Sequence, residues 1–76
     1  MNKKGIAILG STGSIGRQTL EVIEEQKDLF YVEVLTANQN ADLLIRQAKK
    51  FLPNTVVIVD ETKYGFVSSA LKKKSS

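Results

Sequence analysis

The sequence predicts an α/β protein in which three strands form a parallel sheet and helices connect them. Three short runs rich in β-branched residues, at positions 6–9, 32–35 and 55–59, alternate with stretches of helical periodicity. These runs are almost continuously apolar, as strands are when helices cover both faces of a parallel sheet. The pattern therefore predicts a β-α-β-α-β-α order, with strand order 3-2-1 and right-handed crossovers. This is the first half of a Rossmann-type doubly wound sheet.

A glycine-rich segment follows the first strand directly. Gly10, Gly13 and Gly16 are spaced three apart between the apolar run and the start of a helical pattern. In this context each glycine has a distinct role: a tight turn at Gly10, close approach of a pyrophosphate at Gly13, and close helix–strand packing at Gly16. Because Gly16 is followed by Arg17 and not by a lysine, the segment is not a Walker-type loop. Hydrolysis of ATP or GTP is therefore not predicted.

The backbone of this loop is the predicted cofactor site. We expect the N–H groups of Thr12, Gly13, Ser14 and Ile15 to bind a pyrophosphate at the positive end of the helix dipole. The hydroxyls of Thr12 and Ser14 can add hydrogen bonds, and Ser14 is a candidate N-cap for the first helix. The alternative is a structural turn without a ligand. Such a turn does not need three evenly spaced glycines, so the anion site is favoured.

Each predicted helix has an apolar face and a recognisable start. Asn40 is the expected N-cap of the second helix, which Pro53 ends, and Asp60 is the expected cap of a third helix over residues 61–73. Inward positions of the first helix are Ile15, Thr19, Val22 and Ile23, with Leu20 beside them. Those of the second helix are Leu44, Ile45, Ala48, Phe51 and Leu52. Those of the third helix are Tyr64, Val67, Ala70 and Leu71.

The end of the second strand is where dinucleotide-binding domains select their cofactor. NAD sites place a carboxylate there for the ribose 2′-hydroxyl, whereas this chain has the amides Asn38, Gln39 and Asn40. Amide donors and a helix N-terminus favour the 2′-phosphate of NADP(H). If the strand ended earlier than expected, Glu33 would be a candidate ribose ligand and the preference would reverse. A further alternative is that Asn38 and Asn40 serve only in a turn and a cap.

Composition excludes several function classes. The 76 residues include no cysteine and no histidine, so no disulfide, catalytic histidine or metal site is predicted within this chain. Five of the eleven basic residues are terminal lysines, and the other six face eight acidic residues. The net charge of +3 thus does not indicate a basic binding face, and nucleic-acid binding is not expected. No apolar run approaches the roughly 20 residues that span a membrane, so a cytoplasmic protein is the default.

The first strand raises a question of completeness. In the complete fold this strand is central and pairs with a fourth strand, whereas here residues 5–9 would present an open apolar edge. We expect either a longer protein, of which residues 1–76 are the N-terminal part of a dinucleotide-binding domain, or pairing of the edge with another copy.

The residues themselves resemble a known family. The segment 4–16, with its Gly-Ser-Thr-Gly-Ser-Ile-Gly heptapeptide, residues 19–23, residues 30–38 and residues 53–57 are similar to the N-terminus of bacterial 1-deoxy-D-xylulose 5-phosphate reductoisomerases. The resemblance covers nearly all of this chain but only the opening part of a much longer enzyme. It implies an NADPH-dependent oxidoreductase of non-mevalonate isoprenoid biosynthesis, which converts 1-deoxy-D-xylulose 5-phosphate to 2-C-methyl-D-erythritol 4-phosphate. We also expect the protein to be a homo-oligomer.

The resemblance also implies roles for particular positions. Thr12, Gly13, Ser14 and Ile15 would hold the pyrophosphate. The adenosine ribose and its 2′-phosphate would meet Asn38, Gln39 and Asn40. The family often has a basic residue at the position of Gln39, which weakens the expected 2′-phosphate contact. Its divalent metal (Mg or Mn), metal ligands and sugar-phosphate site would lie beyond this chain, which alone should be inactive. The alternative hypotheses are that the protein is another NAD(P)-dependent dehydrogenase or a non-catalytic nucleotide-sensing module.

Overall fold

The computed structural model describes residues 2–72 as one three-stranded parallel sheet with its connecting helices. The strands are β1 (Lys4–Ile8), β2 (Phe30–Ala37) and β3 (Thr55–Ile58), and the helices are α1 (Ser14–Glu25), α2 (Ala41–Phe51) and α3 (Tyr64–Lys72), with a 3-10 turn over Glu61–Lys63. Strand β2 lies between β1 and β3, as the sequence predicts. The α/β class and the parallel pairing are confirmed. Lys73, the predicted end of the third helix, lies outside the described residues.

One face of the sheet carries the core. Burial alternates along β3, where Ile58 is buried and Val57 is exposed. Ala7 and Tyr31, on the same face as Val57, are also exposed. The expectation that helices cover both faces is therefore wrong for residues 2–72. An apolar run shows that both faces of a strand can be buried, but it does not show which segment covers each face.

A bulge in β2 brings two residues of unusual spacing into this core. Ile6 pairs with Val32 and the next residue, Ala7, pairs with Val34, so that Glu33 is an extra residue in β2. Because the bulge reverses the alternation, Val32 and Leu35 both face the helices although they lie three positions apart.

The buried face of α1 differs from the predicted one. Gly16, Leu20 and Ile23 are buried, whereas Ile15 is 78% exposed and Val22 is 54% exposed. The prediction is wrong for Ile15 and Val22. Two apolar lines run side by side along this helix. The line that contains Gly16 faces the core because a residue without a side chain lets α1 approach the loop before it.

Helix α2 begins as predicted and ends one residue early. The Asn40 side chain accepts a hydrogen bond from the N–H of Leu43 at 3.2 Å, which confirms the N-cap. The predicted Leu44, Ile45 and Ala48 are buried, and Phe51 packs against the core. Leu52, predicted to face inward, is instead 78% exposed. It adopts a left-handed conformation with φ of 53°, which ends the helix. Its N–H still donates to the carbonyl of Ala48.

The third helix starts with a 3-10 turn. Asp60 accepts hydrogen bonds from the backbone N–H of Thr62 at 3.0 Å and from its hydroxyl at 2.7 Å, as the predicted cap should. Val67 is buried, but Tyr64 is 65% exposed and the prediction that it faces inward is wrong. Tyr64 is the first residue of α3, directly after the 3-10 turn, whereas the buried Val67 lies about one turn further along the helix.

Candidate functional site

The loop between β1 and α1 is a tight turn closed by its own glycines. Gly10 has a φ of +74°, which a residue with a side chain rarely adopts. The N–H of Gly13 donates to the carbonyl of Gly10 at 3.1 Å. The role predicted for Gly10 is confirmed. Of the four predicted pyrophosphate donors, Gly13 is thus the one whose amide already has a partner within the loop.

Gly16 brings helix α1 against this turn. A β-carbon at Gly16 would overlap the carbonyl oxygen of Gly10 and would lie 2.7 Å from the α-carbon of Ser11. Real β-carbons do not come so close to backbone atoms. The close packing predicted for Gly16 is confirmed. Gly13 differs, because a β-carbon there would meet only the Gly10 carbonyl oxygen, at 3.5 Å.

The N-terminus of α1 supplies amides that the helix does not use. The first intrahelical hydrogen bond joins the N–H of Arg17 to the carbonyl of Gly13 at 2.9 Å. The amides of Ser14, Ile15 and Gly16 precede it. Gly13 is the N-cap and no side chain caps this helix, so the prediction that Ser14 is the N-cap is wrong. Gly13 already has extended backbone, with φ of −82° and ψ of 175°, which places Ser14 inside the first turn.

A wide open groove of about 500 Å³ runs along the free edge of β1 and the loop. From the loop and the start of α1, the lining of this groove includes Gly10, Gly13, Ser14 and Ile15. Thr12 is half-buried and is not among the residues that line the groove. The structure thus brings three of the four predicted pyrophosphate residues to one groove and places Thr12 beside it.

The loop rests on polar residues that sequence analysis missed. Ser11 is fully buried and exchanges two hydrogen bonds with Gln47 of α2, while Thr36 of β2 accepts from the amides of Gly10 and Ser11. One signal for this anchorage was present in the sequence. Gln47 is a polar residue within the apolar face of α2, directly before Ala48.

The predicted adenosine residues lie in the turn after β2. Asn38, Gln39 and Asn40 are all exposed, and the first two line a groove with Val59 and Asp60. The backbone of this turn is fixed, since the carbonyl of Asn38 accepts from the N–H of Asp60 at 2.9 Å. Because parallel strands end at the same edge of a sheet, this turn and the glycine-rich loop lie on one edge.

The structure shows where the carboxylates of Glu33 and Asp60 lie relative to the sheet. Strand β2 continues to Ala37, so Glu33 is mid-strand and the alternative in which it ends the strand as a ribose ligand is excluded. A hydrogen bond to Glu33, together with its negative charge, raises the pKa of the Tyr31 phenol. Hydrogen bonds from Thr62 lower the pKa of Asp60. Capping explains Asp60, as expected, yet its place beside Gln39 was not predicted.

Other kinds of site are not found in the described part of the chain. Among residues 2–72 there is no group of three or more histidine, cysteine, aspartate or glutamate side chains placed to hold a metal ion. No helix within that range has the length and apolar character to cross a membrane.

A glycine-rich turn between the first strand of a parallel sheet and the helix that follows is typical of Rossmann-type α/β proteins. The model of the 1-deoxy-D-xylulose 5-phosphate reductoisomerase family matches residues 6–76. The chain belongs to this family.

Relatives of this chain carry the same description. It is 59% identical over 71 residues to the 1-deoxy-D-xylulose 5-phosphate reductoisomerase of Bacteroides fragilis, an alignment that covers 93% of this chain and 18% of the relative. It is 61% identical over 69 residues to that of Phocaeicola vulgatus, with 91% and 18% covered. The chain thus spans about a fifth of the length of the curated relatives it matches.

Solved structures agree with this assignment. The reductoisomerase of Zymomonas mobilis in complex with NADPH superposes with a TM-score of 0.89 at 38% identity, over 95% of this chain and 19% of that one. A reductoisomerase in complex with magnesium superposes with a TM-score of 0.88 at 28% identity, over 97% and 18%. The fold of this chain is therefore shared with about a fifth of the length of these proteins.

Proposed function

We propose that residues 1–76 are the N-terminal part of the NADPH-binding domain of a 1-deoxy-D-xylulose 5-phosphate reductoisomerase. The whole protein would rearrange and reduce 1-deoxy-D-xylulose 5-phosphate to 2-C-methyl-D-erythritol 4-phosphate. Membership of the family supports the reaction. The NADPH in the Zymomonas mobilis complex supports the cofactor.

The single observation that carries the proposal is the N-terminus of α1. The amides of Ser14 and Ile15 have no partner within the helix, they border an open groove, and the residue before them, Gly13, has no side chain to fill it. Thr12 would add its amide and hydroxyl from beside the groove. A negatively charged pyrophosphate there would satisfy these donors and gain from the helix dipole.

The turn after β2 would bind the adenosine end. Asn40 uses its Oδ1 atom to cap α2, which leaves its Nδ2 group to donate to a 2′-phosphate. Asn38 and Gln39 present further amides in the adjacent groove. Asp60 borders the same groove, and its lowered pKa keeps it negatively charged at neutral pH. The described residues that line this groove include no lysine or arginine, so a phosphate would be bound by amide dipoles and a helix N-terminus rather than by a fixed positive charge.

This chain's part in catalysis would be to hold and orient the cofactor. Bound NADPH would supply the hydride, and a divalent metal (Mg or Mn) would be held by residues outside this chain; the magnesium complex of a related structure supports that ion. Because the metal ligands and the sugar-phosphate site would both lie outside this chain, residues 1–76 alone should be inactive. We further propose a cytoplasmic homo-oligomer that acts on a sugar phosphate and binds neither nucleic acid nor membrane.

Calorimetry of the full-length protein with NADPH and NADH tests the proposal. We expect NADPH to bind and a Gly13→Val variant to lose binding while its circular dichroism is unchanged, since a β-carbon at Gly13 has room within the protein. Wild-type binding of neither dinucleotide, or a Gly13→Val variant that binds like wild type, would contradict the assignment of the loop.

A further inference from the structure

The glycine-rich loop is fastened from below by a buried pair of polar side chains. Ser11 is fully buried and Gln47 is 7% exposed. The Ser11 hydroxyl donates to Oε1 of Gln47 at 2.6 Å, and Nε2 of Gln47 donates to the Ser11 carbonyl oxygen at 2.9 Å. One side chain thus satisfies both a side-chain donor and a backbone acceptor of the same loop residue.

A second anchor holds the same two residues from the sheet. The N–H of Gly10 donates to the hydroxyl oxygen of Thr36 at 2.9 Å, and the N–H of Ser11 donates to the carbonyl of Thr36 at 2.7 Å. Ser11 is therefore held by β2 through its amide and by α2 through its hydroxyl and carbonyl. The next residues along the chain are those proposed to bind pyrophosphate.

We propose that Gln47 is a positioning residue for the pyrophosphate loop. The inference rests on the proposed function and deepens it. Gln47 lies in α2, is nearly buried and does not line the groove beside the loop, so it acts through Ser11 and not on the cofactor. If the Gln47 amide is removed, the buried hydroxyl and carbonyl of Ser11 lose their partners. The loop must then move to hydrate them, which misplaces the amides after Ser11.

The chemistry of the pair explains why this residue is a glutamine. Ser11 presents a donor and an acceptor side by side, and an uncharged amide offers the matching acceptor and donor on one planar group. A glutamate lacks the donor at neutral pH, and a leucine lacks both groups.

The effect should be confined to one end of the cofactor. The adenosine turn has its own supports, because Asn40 caps α2 and the Asn38 carbonyl accepts from the Asp60 amide. Neither of these bonds involves Gln47. Loss of Gln47 should therefore weaken the binding of a ligand that contains the pyrophosphate. It should not change the binding of a ligand that contains only the adenosine and its 2′-phosphate.

Calorimetry with NADPH and with adenosine 2′-monophosphate, on the full-length protein, separates these cases. For Gln47→Leu we expect about tenfold weaker binding of NADPH. Binding of adenosine 2′-monophosphate should change by less than about twofold. Gln26→Leu makes the same substitution at an exposed residue after α1 and should change neither affinity. A merely structural role for Gln47 would lower both affinities or neither.

A second variant tests the proposal in case Gln47→Leu does not fold. Ser11→Ala removes the hydroxyl bond but keeps the bond from Gln47 to the Ser11 carbonyl, and it should show the same selective loss. If the wild-type protein binds both ligands, two results overturn the positioning role alone. One is unchanged NADPH binding in both variants, and the other is an equal loss of affinity for both ligands. A wild-type protein that binds adenosine 2′-monophosphate but not NADPH overturns the proposed function and this inference together.

Discussion

The α-carbon of Gly16 lies against the carbonyl oxygen of Gly10, with no room for a side chain between them. This contact joins the first turn of α1 to the loop that precedes it. Ser11, the next residue of the loop, is fully buried, so the loop cannot move away from the helix. The amides at the start of α1 therefore have a fixed distance from the end of β1, which a pyrophosphate site requires.

A methyl group at Gly16 should destabilise the protein. Alanine is favoured over glycine in a helix by about 1 kcal/mol, so propensity alone predicts a gain for Gly16→Ala. The overlap with Gly10 and Ser11 should outweigh that gain and give a net loss of about 1–3 kcal/mol. Urea unfolding of the variant and the wild type measures the difference.

Gly65→Ala is the matched control for this prediction. Gly65 also lies in a helix, α3, but a β-carbon there meets no atom within 4 Å. We expect this substitution to stabilise by about 0.5–1 kcal/mol. If both alanine variants gained stability, the contact between Gly16 and Gly10 would not limit the approach of α1.

The sequence predicted those parts of the fold that depend on local pattern. Strand and helix alternation, the cap at Asn40 and the spacing of Gly10 and Gly16 each follow from short-range chemistry, and all are confirmed. Leu52 was misplaced because a left-handed residue ended α2 where the apolar pattern continued.

The parts that could not be predicted depend on contacts between distant segments. Ile15 and Leu20 lie on adjacent faces of α1, and only the approach of the helix to the loop decides which one is buried. The bonds between Ser11 and Gln47 join residues 36 positions apart. Composition and periodicity carry no information about such a pair, apart from the polar residue in an apolar face.

A positive charge at position 39 should strengthen NADPH binding. Gln39 is exposed in the turn proposed to meet the 2′-phosphate. For Gln39→Arg we expect up to about fivefold tighter NADPH binding, typical of an exposed ion pair, and unchanged NADH binding. Gln26→Arg, with the same charge change away from the site, is the control. Equal gains for both dinucleotides would place the 2′-phosphate elsewhere.

The free edge of β1 should make residues 1–76 self-associate when they are prepared alone. Within residues 2–72, β1 pairs only with β2, and Leu9, the residue directly after β1, is 78% exposed. Sedimentation should show association that increases with concentration. Ala7→Lys places a charge on this strand and should reduce association, whereas Gln26→Lys should not. A strictly monomeric wild-type segment would show that this edge does not drive pairing.

Acid should remove the stabilisation that Asp60 provides. Hydrogen bonds from Thr62 lower its pKa below the ordinary value of 3.8 in the folded protein. Its contribution is therefore complete above pH 3.8 and is lost as the pH falls through the folded pKa. The difference in unfolding free energy between wild type and Asp60→Asn should be constant above about pH 5 and should shrink below pH 3.8. A difference independent of pH would contradict the role of the ionised carboxylate.

The most direct test of the pyrophosphate site is the amide spectrum of the ¹⁵N-labelled full-length protein during titration with NADPH. The signals of Thr12, Ser14 and Ile15 should move progressively and saturate with the calorimetric affinity, because their N–H groups gain an anionic acceptor. The amide of Leu52, at the far end of α2, should stay in place. Saturation with NADPH that leaves the signals of Thr12, Ser14 and Ile15 unmoved would contradict the account.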